Sequence, residues 1–388
     1  MMNLSERMNR LGTETAFEVL AKARALEAQG KNIVHLEIGE PDFDTPKHIR
    51  EAAKKALDEG WTHYGPSNGL PELRKAISEY INRTRGITTD PDMVVVTPGA
   101  KPIMFYAILV LVDPGDEVIY PNPGFPIYES MINYMNGIAK PLPIREEKEF
   151  SIDMNELRGL FSDKTKLVIL NYPHNPTGGS LSKQDLQEIA ELAKKYNCWV
   201  LADEVYCNIL YEGKFESIAT FPGMMERTII LDGFSKTYAM TGWRMGFGVM
   251  PHALAKAFTK MQVNCASCVS SFSQRACIDA LNGPQNDSEK MVAEFKKRRD
   301  FIVDGLNNIP GFSCVKPKGA FYVFPNIKGT GKTSPEMETI MLYEANVATL
   351  SGTAFGKFGE GYLRFSYANS IENIDKALQR IKETVKKF

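Results

Sequence analysis

Along the middle of the chain, short runs of aliphatic residues alternate with longer segments whose apolar residues recur at helical spacing. The aliphatic runs predict buried strands, and most of the segments between them predict helices. Strands that are apolar along nearly their whole length are typical of a mainly parallel sheet covered by helices on both faces. The predicted strands are 94–96, 117–120, 167–170, 199–202 and 228–231.

The two ends of the chain follow a different pattern. Helical periodicity dominates the N-terminal segment and the region after residue 250, and strand-like alternation appears at 33–38, 320–324 and 362–366. Strands separated by longer helices predict a smaller α+β domain, into which the N-terminal segment folds back. We therefore predict a large domain at 46–285 and a small domain formed by 1–45 and 286–388.

The charge balance of the chain gives no indication of a polyanionic partner. The 388 residues carry 46 basic and 47 acidic side chains, a net charge of -1, without a long run of either sign. This balance favours neither nucleic acid nor an anionic membrane surface as a partner. The longest wholly apolar run, 103–112, is far shorter than the roughly 20 residues that span a bilayer. Because residues 1–8 lack the apolar core of a signal peptide, we expect a cytoplasmic location.

The cysteines do not predict a metal site. The six cysteines are scattered without a framework of spacings, which is typical of reduced thiols. Cys265 and Cys268 have the spacing of a metal-binding pair, but no second pair and no histidine cluster completes a zinc site. We therefore expect no metal.

Polar and small residues follow each predicted strand, at the edge of a parallel sheet where ligands bind. The segment 97–101 leads into a helix, and the free N–H groups of a helix N-terminus suit a phosphate or a carboxylate. Phe125 offers a flat aromatic face or packs in the core, and Asn175 lies in a proline-rich turn. Asp203 ends an apolar strand, with Tyr206 three residues later. A carboxylate in that position needs a cation as its partner.

The fifth strand end carries an amine and a guanidinium. Ser235 and Lys236 follow the strand, and Arg244 comes eight residues after the lysine. Together the strand ends supply an amine, a carboxylate, a phenol, an amide, an aromatic face and an anion cup, a set that fits pyridoxal phosphate. A carboxylate beside the ring nitrogen keeps it protonated, and a lysine of lowered pKa first tethers the cofactor and then moves the proton at Cα.

The motifs match those of a known family in order and spacing. They are the segment 235–246 around the lysine, 175–178, 203–206 and the late Arg364. On these motifs the chain resembles a class I aminotransferase of the fold-type I, aspartate-aminotransferase-like superfamily, over nearly its whole length. The resemblance implies an α/β large domain with a mainly parallel sheet of the seven-stranded type, covered by helices, and a smaller α+β domain formed by both termini.

The resemblance also implies roles for individual residues. Arg364 would clamp the substrate α-carboxylate, assisted by Asn175 and the Gly39 backbone, and Phe125 would stack on the cofactor ring, where a tryptophan is common in aspartate-specific members. Tyr64 would reach the cofactor phosphate of a neighbouring subunit, which implies a homodimer. The catalytic residues would be Lys236, Asp203 and Tyr206, and the phosphate would be held by Gly99, Ala100, Lys101, Ser235 and Arg244.

The implied activity moves an amino group between an L-amino acid and a 2-oxo acid through a pyridoxal phosphate–lysine imine. We expect aspartate or glutamate with 2-oxoglutarate, because Lys101 would meet a distal carboxylate, although the same lysine could instead neutralise the phosphate. An aminotransferase for aromatic or small neutral amino acids and a C–S β-lyase are alternatives within the superfamily. A non-catalytic, cofactor-binding regulator is an alternative from another class. The intact Lys236, Asp203 and Arg364 and the lack of a basic arm argue against the regulator.

Overall fold

The computed structural model describes residues 4–387. Residues 1–3, which belong to the N-terminal segment without signal-peptide character, and residue 388 lie outside the described part. The strands are β1 (Val34–His35), β2 (Val94–Pro98), β3 (Glu117–Asn122), β4 (Ile138–Pro143), β5 (Thr165–Asn171), β6 (Trp199–Asp203), β7 (Thr228–Gly233), β8 (Met245–Val249), β9 (Tyr322–Val323), β10 (Val347–Ala348), β11 (Leu350–Ser351) and β12 (Leu363–Ser366). The α-helices are α1 (Ala16–Glu27), α2 (Lys47–Asp58), α3 (Pro71–Arg85), α4 (Lys101–Leu111), α5 (Ile127–Tyr134), α6 (Met154–Leu160), α7 (Lys183–Lys195), α8 (Phe234–Thr237), α9 (His252–Ala266), α10 (Ser271–Asn282), α11 (Asn286–Asn307), α12 (Ser334–Tyr343) and α13 (Ile371–Val385).

A seven-stranded sheet forms the centre of the molecule, in the order β2-β8-β7-β6-β5-β3-β4. Strand β8 runs antiparallel to its neighbours β2 and β7, and the other neighbouring pairs are parallel. All five predicted strands lie in this sheet, so the predicted α/β fold is confirmed. The sequence patterns did not reveal β4, a partly exposed edge strand with two prolines, or β8, which contains two glycines.

Both faces of the sheet are covered, which explains why its strands are apolar along their length. Neighbouring strand residues such as Val200 and Leu201 are both fully buried, and they belong to two separate hydrophobic clusters. Successive side chains of a strand point to opposite faces, so a sheet with two covered faces requires apolar residues at every position. Helices α4, α5 and α9 pack on one face, and helix α7 lies on the other.

The two ends of the chain meet beside this sheet. Strand β1 pairs in parallel with β10, and β11, β12 and β9 form a three-stranded antiparallel sheet. A further hydrophobic cluster joins β1, β9 and β12 to helices α11, α12 and α13. The N-terminal segment therefore packs against the C-terminal part of the chain, while the domain boundaries at residues 46 and 285 stay a prediction. Among residues 4–387, no helix combines the length and the apolar character that a bilayer crossing needs.

Candidate active site

The predicted site residues gather around one cleft of about 620 Å³ at the carboxyl ends of β5, β6 and β7. This volume is in the range of small-molecule sites, roughly 300–1,000 Å³. Gly99 is in contact with the Arg244 guanidinium, just outside the cleft lining. Tyr64 does not line the cleft of its own chain and is 92% exposed. The predicted residues that line the cleft are Gly39, Ala100, Lys101, Phe125, Asn175, Asp203, Tyr206, Ser235, Lys236, Arg244 and Arg364.

Lys236 lies on the short helix α8, which begins directly after strand β7. Its Nζ donates a hydrogen bond of 2.6 Å to the carbonyl oxygen of Gly39. Loss of hydration in the cleft, together with the positive charges of Arg364 and Arg244, lowers the pKa of Lys236 from 10.5 to about 8, against the opposing charge of Glu40. Roughly one tenth of this amine is therefore neutral, and so nucleophilic, at pH 7, far more than for an ordinary lysine.

Asp203, the last residue of β6, is a buried carboxylate at the floor of the cleft. The hydroxyl of Tyr128 donates a 2.5 Å hydrogen bond to its Oδ2, and no cation of residues 4–387 forms an ion pair with it. Burial raises the pKa of Asp203 to about 6, and the bond from Tyr128 opposes that rise. The sequence did not single out Tyr128, which lies in the first turn of α5, three residues after the predicted site residue Phe125.

Tyr206 and Arg364 meet at a second tyrosine that the sequence analysis had not selected. The hydroxyl of Tyr206 lies 2.8 Å from the hydroxyl of Tyr322, and the Arg364 guanidinium lies over the Tyr322 ring, 4.5 Å from its centroid. Burial holds the pKa of Tyr206 well above 10, so its hydroxyl stays protonated and can donate. Arg364 Nη1 donates to Asn175 Oδ1 at 3.2 Å and Nη2 to the carbonyl oxygen of Glu37. Its Nε is buried without an acceptor, as a carboxylate-binding guanidinium would be before its ligand arrives.

An anion cup lies where β2 leads into α4. Gly99 has φ +88°, and a Cβ there would lie 2.2 Å from Nη2 of Arg244, so only glycine allows this approach. At Gly246, on β8, a Cβ would lie 2.2 Å from the backbone nitrogen of Ala100, which shows how closely β8 backs the cup. Pro102 has no N–H and the N–H of Ile103 bonds to the carbonyl oxygen of Ala100, so the N–H groups that suit a phosphate here, together with the guanidinium, are those of residues 99–101.

A buried ion network supports the site from behind. Arg85, at the end of α3, donates from Nε to Glu204 at 3.0 Å and from Nη2 to Asp232 at 2.8 Å. All three side chains are at most 4% exposed. Because Glu204 follows Asp203 and Asp232 lies four residues before Lys236, the network fixes the ends of β6 and β7 relative to each other. Sequence reasoning missed it because α3 is distant from both strands along the chain.

The remaining predicted features lie apart from the floor of the cleft. Lys101 Nζ lies 5.3 Å from the centroid of the Phe125 ring and forms an ion pair with Glu14. Cys265 and Cys268 are free thiols, the first exposed and the second partly buried. Within the described part of the chain, no group of histidine, cysteine and acidic residues could hold a metal ion.

A seven-stranded α/β sheet with a lysine, a carboxylate and an arginine gathered at its carboxyl edge is typical of the fold-type I enzymes that act on amino groups. Comparison with known proteins supports this class directly, since the family model for aminotransferase class I and II matches residues 31–381. The chain belongs to this family and is a transaminase. The family uses pyridoxal phosphate.

Individual relatives cover almost the whole chain. The aspartate aminotransferase of Pyrococcus horikoshii is 42% identical over 98% of this chain and 97% of the relative. The aromatic-amino-acid aminotransferase 2 of Thermococcus litoralis is 40% identical over 99% of both chains. The crystal structure of the aspartate aminotransferase from Rhizobium meliloti superposes with a TM-score of 0.95 at 36% identity, covering 100% of this chain and 99% of that one. The resemblance seen in the sequence is thereby confirmed.

Proposed function

We propose that this transaminase binds pyridoxal 5'-phosphate in the cleft and transfers the amino group of aspartate or glutamate, with 2-oxoglutarate as the acceptor. The observation that carries the proposal is the buried carboxylate of Asp203, which lines the cleft and has no cation partner in the described chain. A buried carboxylate is costly unless a positive group faces it. A protonated pyridine nitrogen supplies that positive group.

The other residues around the cleft fit the same cofactor. The cup of Gly99, Ala100, Lys101, Ser235 and Arg244 would hold its phosphate, and Phe125 would pack against its ring. Tyr206 and Asn175 would donate hydrogen bonds to its ring oxygen, which the high pKa of the Tyr206 hydroxyl supports. Lys236 would carry the group covalently through Nζ, and its lowered pKa supports that role.

When bound, the cofactor withdraws electrons from the substrate Cα and so makes the Cα proton removable. Lys236 Nζ would then be the group that takes the Cα proton and gives it back, since an amine of pKa near 8 accepts a proton in its neutral form and donates one in its ammonium form. Asp203 would face the ring nitrogen and balance its positive charge. Arg364 would orient the substrate through its α-carboxylate, since a guanidinium can bind a carboxylate at two points and Nε of Arg364 has no other acceptor among residues 4–387.

Two features support a dicarboxylic substrate. Lys101 stands at the mouth of the cleft, where its ammonium can meet a second carboxylate. The relatives from Pyrococcus horikoshii and Rhizobium meliloti are named aspartate aminotransferases.

A different observation favours aromatic amino acids as the second candidate. Phe17 and Phe125 line the same mouth, and Lys101 is already paired with Glu14. The relative from Thermococcus litoralis is named for aromatic amino acids. The transaminase assignment removes the non-catalytic regulator from consideration, and a C–S β-lyase remains as a test outcome.

We also propose a homodimer in which Tyr64 completes the phosphate site of the partner. Tyr64 lies on the loop between α2 and α3 and is 92% exposed, so its ring makes little contact with residues 4–387 of its own chain, which supports this arrangement. Sedimentation should give twice the chain mass of 43.4 kDa, and a particle of one chain mass would refute the shared site. The domain boundaries and the cytoplasmic location remain predictions from the sequence.

The proposed function is tested with a panel of amino donors. Aspartate, glutamate, phenylalanine and alanine are each assayed with those of 2-oxoglutarate, pyruvate and oxaloacetate that are not the donor's own 2-oxo acid. We expect the fastest turnover for aspartate with 2-oxoglutarate, its loss in Lys236→Ala, and no change in Lys183→Ala, an exposed lysine on α7. Preferred use of phenylalanine would select the second candidate. Release of pyruvate and ammonia from cysteine without any 2-oxo acid would indicate a lyase.

A further inference from the structure

The mouth of the cleft contains an ion pair that neither the family assignment nor the proposed reaction explains. Glu14 lies in an irregular segment, residues 11–15, between a short 3-10 turn and helix α1. Its Oε1 contacts Nζ of Lys101, the first residue of α4, and the two side chains are 20% and 46% exposed. Both residues line the cleft that holds Lys236 and Arg364.

The charge of Glu14 reaches the groups that bind the substrate. Burial lowers the pKa of Lys236 and that of Arg364, and the negative charge of Glu14 acts in the opposite direction on both. Glu14 is therefore close enough to act electrostatically on the amine and on the guanidinium. A second carboxylate on a substrate held between them would meet a lysine that is already neutralised and a carboxylate of like charge.

The segment around Glu14 is held in place by hydrogen bonds of its own. The Glu14 side chain can therefore change its ion-pair partner while the segment keeps its position. The N–H of Gly12 donates to Ser130 Oγ at 2.8 Å, and Nε of Arg10 donates to the carbonyl oxygen of Asn133 at 3.0 Å. Both acceptors belong to α5. The ion pair itself is partly exposed, and exposed pairs are weak and easily replaced.

We propose that Glu14 is a specificity-determining residue whose carboxylate occupies Lys101 and must be displaced by the second carboxylate of a dicarboxylic substrate, whereas neutral and aromatic substrates bind with the pair intact. The inference rests on the proposed function. It accounts for both candidate substrate classes. Lys101 binds the distal carboxylate of a dicarboxylic substrate when Glu14 is displaced, and it stays paired with Glu14 when the substrate has no second carboxylate. Glu14 acts through Lys101, so it is a positioning residue and takes no part in the proton transfer.

The test uses Glu14→Gln, which keeps the shape of the side chain and removes its charge. Single-turnover half-reactions with the donor alone are measured, since 2-oxoglutarate is itself a dicarboxylate. We expect kcat/KM for aspartate to rise about 3- to 10-fold and that for phenylalanine to stay within about twofold, in keeping with the weak free energy of an exposed pair. Glu18→Gln on α1 removes the same charge from an exposed position outside the cleft and should change neither value.

Inhibitor binding gives a second readout that does not depend on turnover. Maleate should bind about 3- to 10-fold more tightly to Glu14→Gln than to the wild type, and 3-phenylpropionate equally to both. In Lys101→Met, removal of the Glu14 charge should favour maleate less than it does in the wild type, because only the repulsion between like charges is then relieved. Glu14→Ala should also increase the affinity for maleate. This variant controls for an effect that is specific to the glutamine side chain.

Equal changes for aspartate and phenylalanine, or weaker maleate binding in Glu14→Gln, would overturn the proposal. The second result would mean that Glu14 holds Lys101 in place for the distal carboxylate. Failure of the proposed function looks different: the wild type would then turn over none of the donors and would show no visible band of bound cofactor. Unchanged selectivity in an active, coloured enzyme refutes only the role of Glu14.

Discussion

The hydrogen bond from Tyr128 to Asp203 should determine the pH at which the enzyme loses its cofactor. Tyr128→Phe removes one oxygen atom from a fully buried side chain and leaves the ring packed as before. In the wild type, burial raises the pKa of Asp203 to about 6, and the 2.5 Å bond from Tyr128 counteracts part of that rise. Without the bond, the ionised carboxylate is less stable relative to its protonated form.

The size of the effect follows from the kind of bond. A hydrogen bond to a charged group contributes about 1.5–3 kcal/mol, and about 1.4 kcal/mol corresponds to one pH unit in a titration. The pKa of Asp203 should therefore rise by about one to two pH units in Tyr128→Phe. A carboxyl of higher pKa is protonated at higher pH, and a protonated Asp203 cannot balance a positive ring nitrogen. Cofactor affinity should thus begin to fall at a higher pH in the variant than in the wild type.

The assay is a spectrophotometric titration of cofactor-free protein with pyridoxal phosphate at a series of pH values from about 5 to about 8.5. We expect the dissociation constants of the two proteins to agree at the alkaline end and to separate as the pH falls. Tyr134→Phe, on the same helix but without contact to Asp203, should follow the wild-type curve. The electrostatic reasoning would be refuted if affinity for the cofactor fell at the same acidic pH in Tyr128→Phe as in the wild type. A uniform loss of affinity at every pH would refute it as well.

Three further predictions concern the substrate clamp, the buried ion network and the lysine. Arg364→Lys loses the planar two-point contact and should lower kcat/KM for every donor by about 10- to 100-fold, mainly through KM, in steady-state kinetics; a fall in kcat alone would contradict the clamp. Arg85→Met leaves two buried carboxylates unpaired and should lower the free energy of unfolding in urea by about 3–5 kcal/mol, whereas Arg83→Met, exposed on the same helix, should change it little. Because the pKa of Lys236 is lowered to about 8, attachment of pyridoxal phosphate to cofactor-free protein should accelerate up to about pH 8 and then level off; a rate that keeps rising to the pH of an ordinary lysine would argue against a desolvated amine.

The sequence predicted most of the sheet because burial on both faces leaves a strong local signal. Strands β5 and β6 each contain an uninterrupted apolar run, 167–170 and 199–202, and the polar residues that follow these runs had to meet at one edge. Strand β8 escaped because Gly246 and Gly248 weaken the aliphatic pattern, although contact with the cup requires a glycine at position 246. The glycines that made this strand hard to predict from sequence therefore include the one that allows the close contact with the cup.

The unpredicted parts of the site depend on contacts between residues far apart in the sequence. Tyr322 reaches Tyr206 across 116 positions, Arg85 reaches Glu204 across 119, and Lys101 reaches Glu14 across 87. Such pairings cannot be predicted from periodicity or from a motif, because each partner taken alone is an ordinary aromatic or charged residue. The family motifs identify the residues that contact the cofactor, whereas the residues that tune them become visible only in the folded chain.

The most direct test of the account is to locate the bound cofactor. The protein is reconstituted with pyridoxal phosphate, reduced with borohydride, digested and analysed by mass spectrometry. We predict one modified residue, Lys236, and loss of both the modification and the transaminase activity in Lys236→Ala, with Lys183→Ala unaffected. Modification at a different lysine, or an unmodified Lys236 in an active enzyme, would contradict the assignment of the cleft.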